Sequence, residues 1–386
     1  MESDVLNGID VFLHHPEVYR NKRLALVTNN AAVTSTGKLN RLALLEAGFN
    51  VVCLFSPEHG INRTGADGVA QDNDSDKLTK LPVTSLYGSR LKPSHQDLEG
   101  IDLMLIDIPD IGCRFYTYLW TMTYVMEACA DNKLPLIVLD RPNPIGALLE
   151  KVEGPMLDEK YCSSFVGRWA IPLTHSCTLG ELALYFAATR MPALDLTVVP
   201  AENYSREHTA LHNFPFIPTS PAMKDVQTAL LYPGMGLLEG INVNEGRGTE
   251  QPLRICGAPF ISGKQLQDAI AALNISGIEI ESITYVPVDG LYKSEQCEGI
   301  RLTVIDPLVL QPVALGISLL RTLIRLYPRD IQMRLYKTAA NPGGAGHLDK
   351  LLGLYGSVNL IKNNAEISTN VKNTWTEAIA PYLLYS

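Results

Sequence analysis

Glu58 is the side chain of this sequence best suited to hand a proton to a leaving group. It stands in Ser56-Pro57-Glu58-His59-Gly60, where proline and glycine point to a fixed turn rather than a solvated helix face. Cleaving a glycosidic bond requires such a donor, together with a second group that stabilises or attacks the oxocarbenium-like centre. Asp107 and Asp110, in the run Asp107-Ile108-Pro109-Asp110-Ile111-Gly112-Cys113-Arg114-Phe115-Tyr116-Thr117-Tyr118, are candidates for that second group. The same residues also suit plainer work. Glu58 can cap a helix or pair with a base, and Asp107 can bond loop amides at a strand end.

Further polar residues fall in short clusters. Arg114, Arg141 and Arg247 have the planar fork that grips a carboxylate by paired hydrogen bonds. Equally, each can neutralise a nearby Asp107, Asp110 or Glu245. Tyr116 and Tyr118 offer hydroxyls and a stacking face for a sugar, although at alternate positions one of the two is expected in the core. Asn30, Asp140, Asn143 and His175 sit in loops after apolar segments, and His175 can bond a ligand or simply a loop carbonyl. The stretch from Tyr232 to Thr249 is dense in glycine and polar residues and reads as a functional loop carrying Glu239, Asn244, Glu245 and Arg247.

These clusters gain meaning from the elements before them. Apolar runs at Arg23–Thr28, Val51–Phe55, Val83–Leu86, Leu103–Ile108 and Leu136–Leu139 read as buried parallel strands. Helical stretches such as Lys38–Ala47 and Thr117–Asp131 lie between them. A further helix, Leu179–Arg190, follows Thr178 with Glu181 three residues on, the pattern of a capping box. Alternation of this kind predicts an open, doubly wound, Rossmann-like sheet. Asn29-Asn30, Glu58-His59, Asp107–Tyr118 and Asp140–Asn143 all follow strands, so topology brings them to the carboxyl edge, where open α/β sheets bind ligands. Beyond about Pro200 the texture loosens. Helices at Gln265–Leu273, Ala314–Tyr327 and His347–Leu354 and strands at Ile278–Val286 and Ile300–Val304 predict a second, smaller α/β domain. The expected division is residues 1–205 and 206–386.

The chain has 386 residues, 46% hydrophobic and 19% charged, enough to bury sizeable cores in two domains. A formal net charge of -9 argues against nucleic acid or an anionic membrane as partner. The seven cysteines show no C-x-x-C spacing and suit reduced core thiols. No signal peptide or membrane span is visible, so the expectation is a soluble cytoplasmic protein; a chain trimmed of a leader, periplasmic or secreted, would look the same. No G-x-G-x-x-G turn follows the first strand and the histidines lack ligand spacing, so neither a cofactor nor a metal is expected. A homodimer is plausible at this size, although no residue pattern marks an interface.

Ser-Pro-Glu58-His59-Gly60, Asp110-Ile-Gly112-Cys-Arg114-Phe-Tyr116-Thr-Tyr118, Leu139-Asp140-Arg141-Pro142-Asn143-Pro144, Glu153-Gly154-Pro155 and Glu245-Gly246-Arg247-Gly248-Thr249 resemble, in order, the motifs of the NamZ-type exo-β-N-acetylmuramidases. The resemblance covers nearly the whole chain. It implies a Rossmann-like domain and a smaller C-terminal domain, with an active site in the cleft between them. It also implies cofactor-free removal of N-acetylmuramic acid (MurNAc) from the non-reducing end of peptidoglycan fragments, with Glu58 as catalytic residue. The lactyl carboxylate of MurNAc would give the arginines a partner, and its acetamide would permit substrate-assisted hydrolysis. Pro109, Asn62-Arg63, His175-Ser176-Cys177 and Ala222 depart from the family pattern. A protein that binds the sugar as a sensor, without turnover, is the alternative; an NAD-dependent enzyme on the same scaffold is disfavoured by the missing glycine turn.

Overall fold

The computed structural model describes residues 4–209 and 213–386; the N-terminal Met-Glu-Ser, where a leader would begin, lies outside them. Seven strands form the first sheet: β1 (Leu24–Val27), β2 (Val51–Ser56), β3 (Asp74–Ser75), β4 (Pro82–Ser85), β5 (Leu103–Ile106), β6 (Leu136–Leu139) and β7 (Leu196–Val199). Their order is β3-β4-β2-β1-β5-β6-β7, with only the short edge strand β3 antiparallel. Without β3 this is the doubly wound order that reverses between β1 and β5.

The continuous apolar runs are explained by cover on both faces. Ala25, Val27, Met104, Ile106, Leu136 and Val138 point into one core with the helices Thr117–Asn132 and Leu179–Arg190. Their sequence neighbours Leu24, Leu26, Leu103, Leu105, Ile137 and Leu139 point into a second core with Ile9, Phe12 and Leu44. The capping box is present: the Thr178 hydroxyl accepts from the Glu181 amide, and the Glu181 carboxylate accepts from the Thr178 amide. The strand expected to run to Ile108 stops at Ile106; just past its end the Asp107 amide still donates to the Val27 carbonyl, and the Asp107 side chain meets buried partners.

The second half builds a three-stranded antiparallel sheet, ordered β8 (Ile255–Ala258), β10 (Cys297–Val304) and β9 (Ile278–Tyr285). Helix Gly263–Ala271 covers it, with Ser262 as N-cap. The larger core runs without a break from the first sheet into this half, through Leu237, Ile241, Leu302 and Leu319.

Tyr232–Gly240, taken as part of a glycine-rich loop, is helical: Val226–Met235 is an α-helix that includes Pro233, and Gly236–Gly240 continues it as a 3₁₀ turn. The glycines serve packing. A Cβ on Gly234 would lie 2.0 Å from the Pro312 carbonyl, so glycine lets this helix touch the helix Pro312–Leu326 backbone to backbone. The C-terminal tail then returns to the first half, where Trp375 Nε1 donates to the His175 carbonyl at 2.8 Å.

Candidate active site

The carboxyl edge of the first sheet opens into two separate spaces. One is a cavity of about 760 Å³ between the two halves. Glu58, His59, Tyr87, Tyr116 and Thr117 line it from the first half, and Glu239, Arg247, Tyr336, His347 and Lys350 from the second. The other is a crevice of about 1210 Å³ beside the ends of β1 and β5, lined by Ala31, Pro109, Asp110, Arg141 and Phe214 among others. Thr219 stands between them: it lines the crevice, and its Oγ1 accepts from the Tyr116 hydroxyl at 2.5 Å.

Glu58 is buried and held by both carboxylate oxygens. Oε1 accepts from the Gly68 amide at 2.8 Å, and Oε2 from the Thr117 hydroxyl at 2.7 Å. A hydroxyl can donate or accept, so Thr117 serves a protonated Glu58 as readily as an ionised one. Thr117 opens the helix Thr117–Asn132, and His59 and Gly60 adopt positive φ, which turns the chain sharply after Glu58. Burial, followed by the charge of Glu58, pushes the neighbouring Tyr87 phenol far up, so it stays a hydrogen-bond donor.

The opposite wall is built around Arg247. Its guanidinium pairs with Asp67, with Glu239 at 2.7 Å and with Glu245 at 2.9 Å. Burial opposes ionisation of Glu239, but Arg247 and His347 outweigh it and hold the carboxyl at about 2. Glu239 is therefore a carboxylate at any physiological pH. Burial keeps Glu245 above the ordinary range. Asn244 shapes the loop, since its Oδ1 accepts from Gly246 and its Nδ2 donates to the carbonyls of Arg247 and Leu291.

Several residues expected at the site are placed elsewhere. Asp107 is fully buried, with Arg141 Nε at 2.5 Å and Asn40 Nδ2 at 2.8 Å, and it does not reach the cavity. This ion pair uses up Arg141, the reading in which the arginine neutralises an aspartate. Asp110 faces the other crevice, accepting from Gly112 and lying 3.5 Å from His175 Nε2. Among the described residues Arg114 grips no carboxylate. Fully buried, it donates to the carbonyls of Pro155, Ile171 and Leu351 and so ties the halves together. Asn30 accepts from Arg41, and Asn143 donates to the Cys177 carbonyl, both outside the cavity lining. Of the tyrosines, Tyr116 lines the cavity while Tyr118 is the core residue, donating to the Thr219 carbonyl at 2.8 Å.

Asp140 anchors structure. It accepts from Thr178, Gly180 and Tyr385, yet burial still raises its carboxyl to about 6. Glu153 accepts from the Val313 and Ala314 amides at the start of the helix Pro312–Leu326, and burial raises it to about 7. Both values lie above those of an unfolded chain. The folded state then binds more protons, so this contribution is fully present below the unfolded values and is lost as pH rises through about 6 to 7. We expect the melting temperature to fall between about pH 5 and pH 8, and Glu153→Gln to flatten the upper part of that fall. Thermal unfolding across the range checks it; a level profile identical in the variant would contradict it. Glu239 and Asp76, whose carboxyls are lowered, act only at more acid pH.

A mostly parallel α/β sheet with a carboxylate-lined cavity at its carboxyl edge is an architecture suited to a glycoside hydrolase. Comparison with known proteins supplies the family. The model of the exo-β-N-acetylmuramidase NamZ N-terminal domain matches residues 24–227, and that of its C-terminal domain matches residues 230–385. The chain is 36% identical to the peptidoglycan β-N-acetylmuramidase NamZ of Bacillus subtilis, over 96% of this chain and 86% of the relative. Crystal structures of two DUF1343 family proteins from Bacteroides fragilis match with TM-scores of 0.87 and 0.76, each at 28% identity and over 99% or more of both chains. The chain belongs to the NamZ exo-β-N-acetylmuramidase family.

Proposed function

We propose that the chain hydrolyses the β-1,4 bond after a non-reducing-end MurNAc in peptidoglycan fragments, in cell-wall turnover. The placement of Glu58 in the wall of the cavity between the two halves carries this reading. Glu58 delivers its proton to the oxygen of the departing sugar, oriented by Gly68, Thr117 and Tyr87. Glu239, held ionised on the facing wall, takes the role first given to Asp107 and Asp110 and stabilises positive charge at the anomeric carbon.

The seven unpaired thiols suit the cytoplasm, and no described helix is long and apolar enough to cross a membrane. The test is a short glycan that begins with MurNAc, digested and followed by mass spectrometry. Exo-action predicts free MurNAc first and a remainder that begins with GlcNAc. Internal fragments appearing before free MurNAc would overturn the exo reading.

A further inference from the structure

The cavity has an acidic end and a shortage of free positive charge, yet the proposed substrate carries a carboxylate. Four basic side chains line it: His59, Arg247, His347 and Lys350. Arg247 already answers Asp67, Glu239 and Glu245, so an anion approaching it meets those carboxylates as well. His59 bonds the Gly65 carbonyl at 2.8 Å and faces Asp67 at 3.7 Å. His347 lies 3.3 Å from Glu239 and stacks on Tyr336.

Lys350 differs from all three: among the described residues its ammonium has no ion pair or hydrogen bond. It sits in the last turn of helix His347–Leu352, partly buried beside Leu351, on the cavity wall that also includes Phe165 and Val166. Partial burial lowers the pKa of its ammonium, and its electrostatic neighbour Cys162, whose thiol burial pushes up to about 11, supplies no counter-charge. A cation desolvated without a counter-ion gains more from an arriving anion than one already paired. The helix C-terminus accounts for a positive charge at this position, but not for an unpaired one in the lining of the cavity.

We propose that Lys350 receives the lactyl carboxylate of MurNAc and thereby sets the preference for MurNAc over GlcNAc. The proposal rests on the muramidase reading and deepens it. The carboxylate-rich end of the cavity then faces the reacting centre, and the lone ammonium faces the one substituent that distinguishes the two sugars. None of Arg114, Arg141 and Arg247, expected to hold this carboxylate, has an unpaired guanidinium in the cavity.

The test compares MurNAc–GlcNAc bearing a free lactyl acid with its neutral lactyl methyl ester. The wild type is expected to prefer the free acid through KM, by about 10- to 100-fold, the range of a charge-assisted hydrogen bond. In Lys350→Met the KM for the free acid rises to that of the ester with little change in kcat, and Lys350→Arg keeps most of the preference. A Lys350→Met enzyme that retains the wild-type preference, or loses equally on both substrates, overturns the proposal. Failure of the wild type to hydrolyse either compound would instead contradict the muramidase reading. Calorimetric titration of MurNAc and its methyl ester into both proteins then decides Lys350 by binding alone: equal discrimination in wild type and Lys350→Met refutes it.

Discussion

Replacing Glu58 by Gln lowers kcat on MurNAc–GlcNAc by about 100- to 10,000-fold, the usual worth of a positioned proton donor. KM and the melting temperature stay close to wild type. The amide keeps the geometry: its oxygen still accepts from Gly68, and its NH₂ donates to Thr117, whose hydroxyl can turn to accept. Only the transferable proton is lost. Steady-state kinetics with a parallel binding titration checks this; a variant within about threefold of wild type in kcat would remove Glu58 from the proton-donor role.

The second large effect is expected at Arg247. Arg247→Met leaves Asp67, Glu239 and Glu245 facing one another with their shared counter-charge removed. Breaking a buried ion pair from one side costs on the order of 3–5 kcal/mol. The side chain is 19% exposed, so solvent relieves little of that cost. Activity also falls, because burial, opposed now by His347 without Arg247, raises the Glu239 carboxyl toward its neutral form. Urea unfolding measures the first effect and kcat the second. Stability within about 1 kcal/mol of wild type would mean that the network is adjusted by solvent rather than by Arg247.

The first sheet was legible in the sequence because buried parallel strands are unbroken apolar runs, and the residues after them must share an edge. That reasoning found Glu58, His59 and Tyr116 in the cavity wall. It did not divide the edge: Asp110 and Arg141 follow β5 and β6 but open on the neighbouring crevice, a separation made by Thr219 and the tyrosines bonded to it. Applying the same rule to β4 would have found Tyr87, two residues past its end.

The second half was less legible for physical reasons. Gly234 and Gly236 look like loop residues until their neighbours are known, the helix Pro312–Leu326 for the first and the Phe115 ring for the second. His347 and Lys350 lie on a helix the sequence does show, but neither its pattern nor the irregular segment carrying Tyr336 tells that the chain path brings them to the cavity. The partners of the arginines were equally hidden. Arg114 finds three backbone carbonyls, one of them 237 residues away at Leu351, and no spacing in the sequence announces that.

The most direct test of the account is incubation of the purified protein with MurNAc–GlcNAc disaccharide, with free MurNAc followed by mass spectrometry. The account predicts stoichiometric release of MurNAc and GlcNAc by the wild type without added metal or cofactor. Tight binding of the disaccharide with no release would contradict it and make the chain a sugar sensor on a hydrolase scaffold.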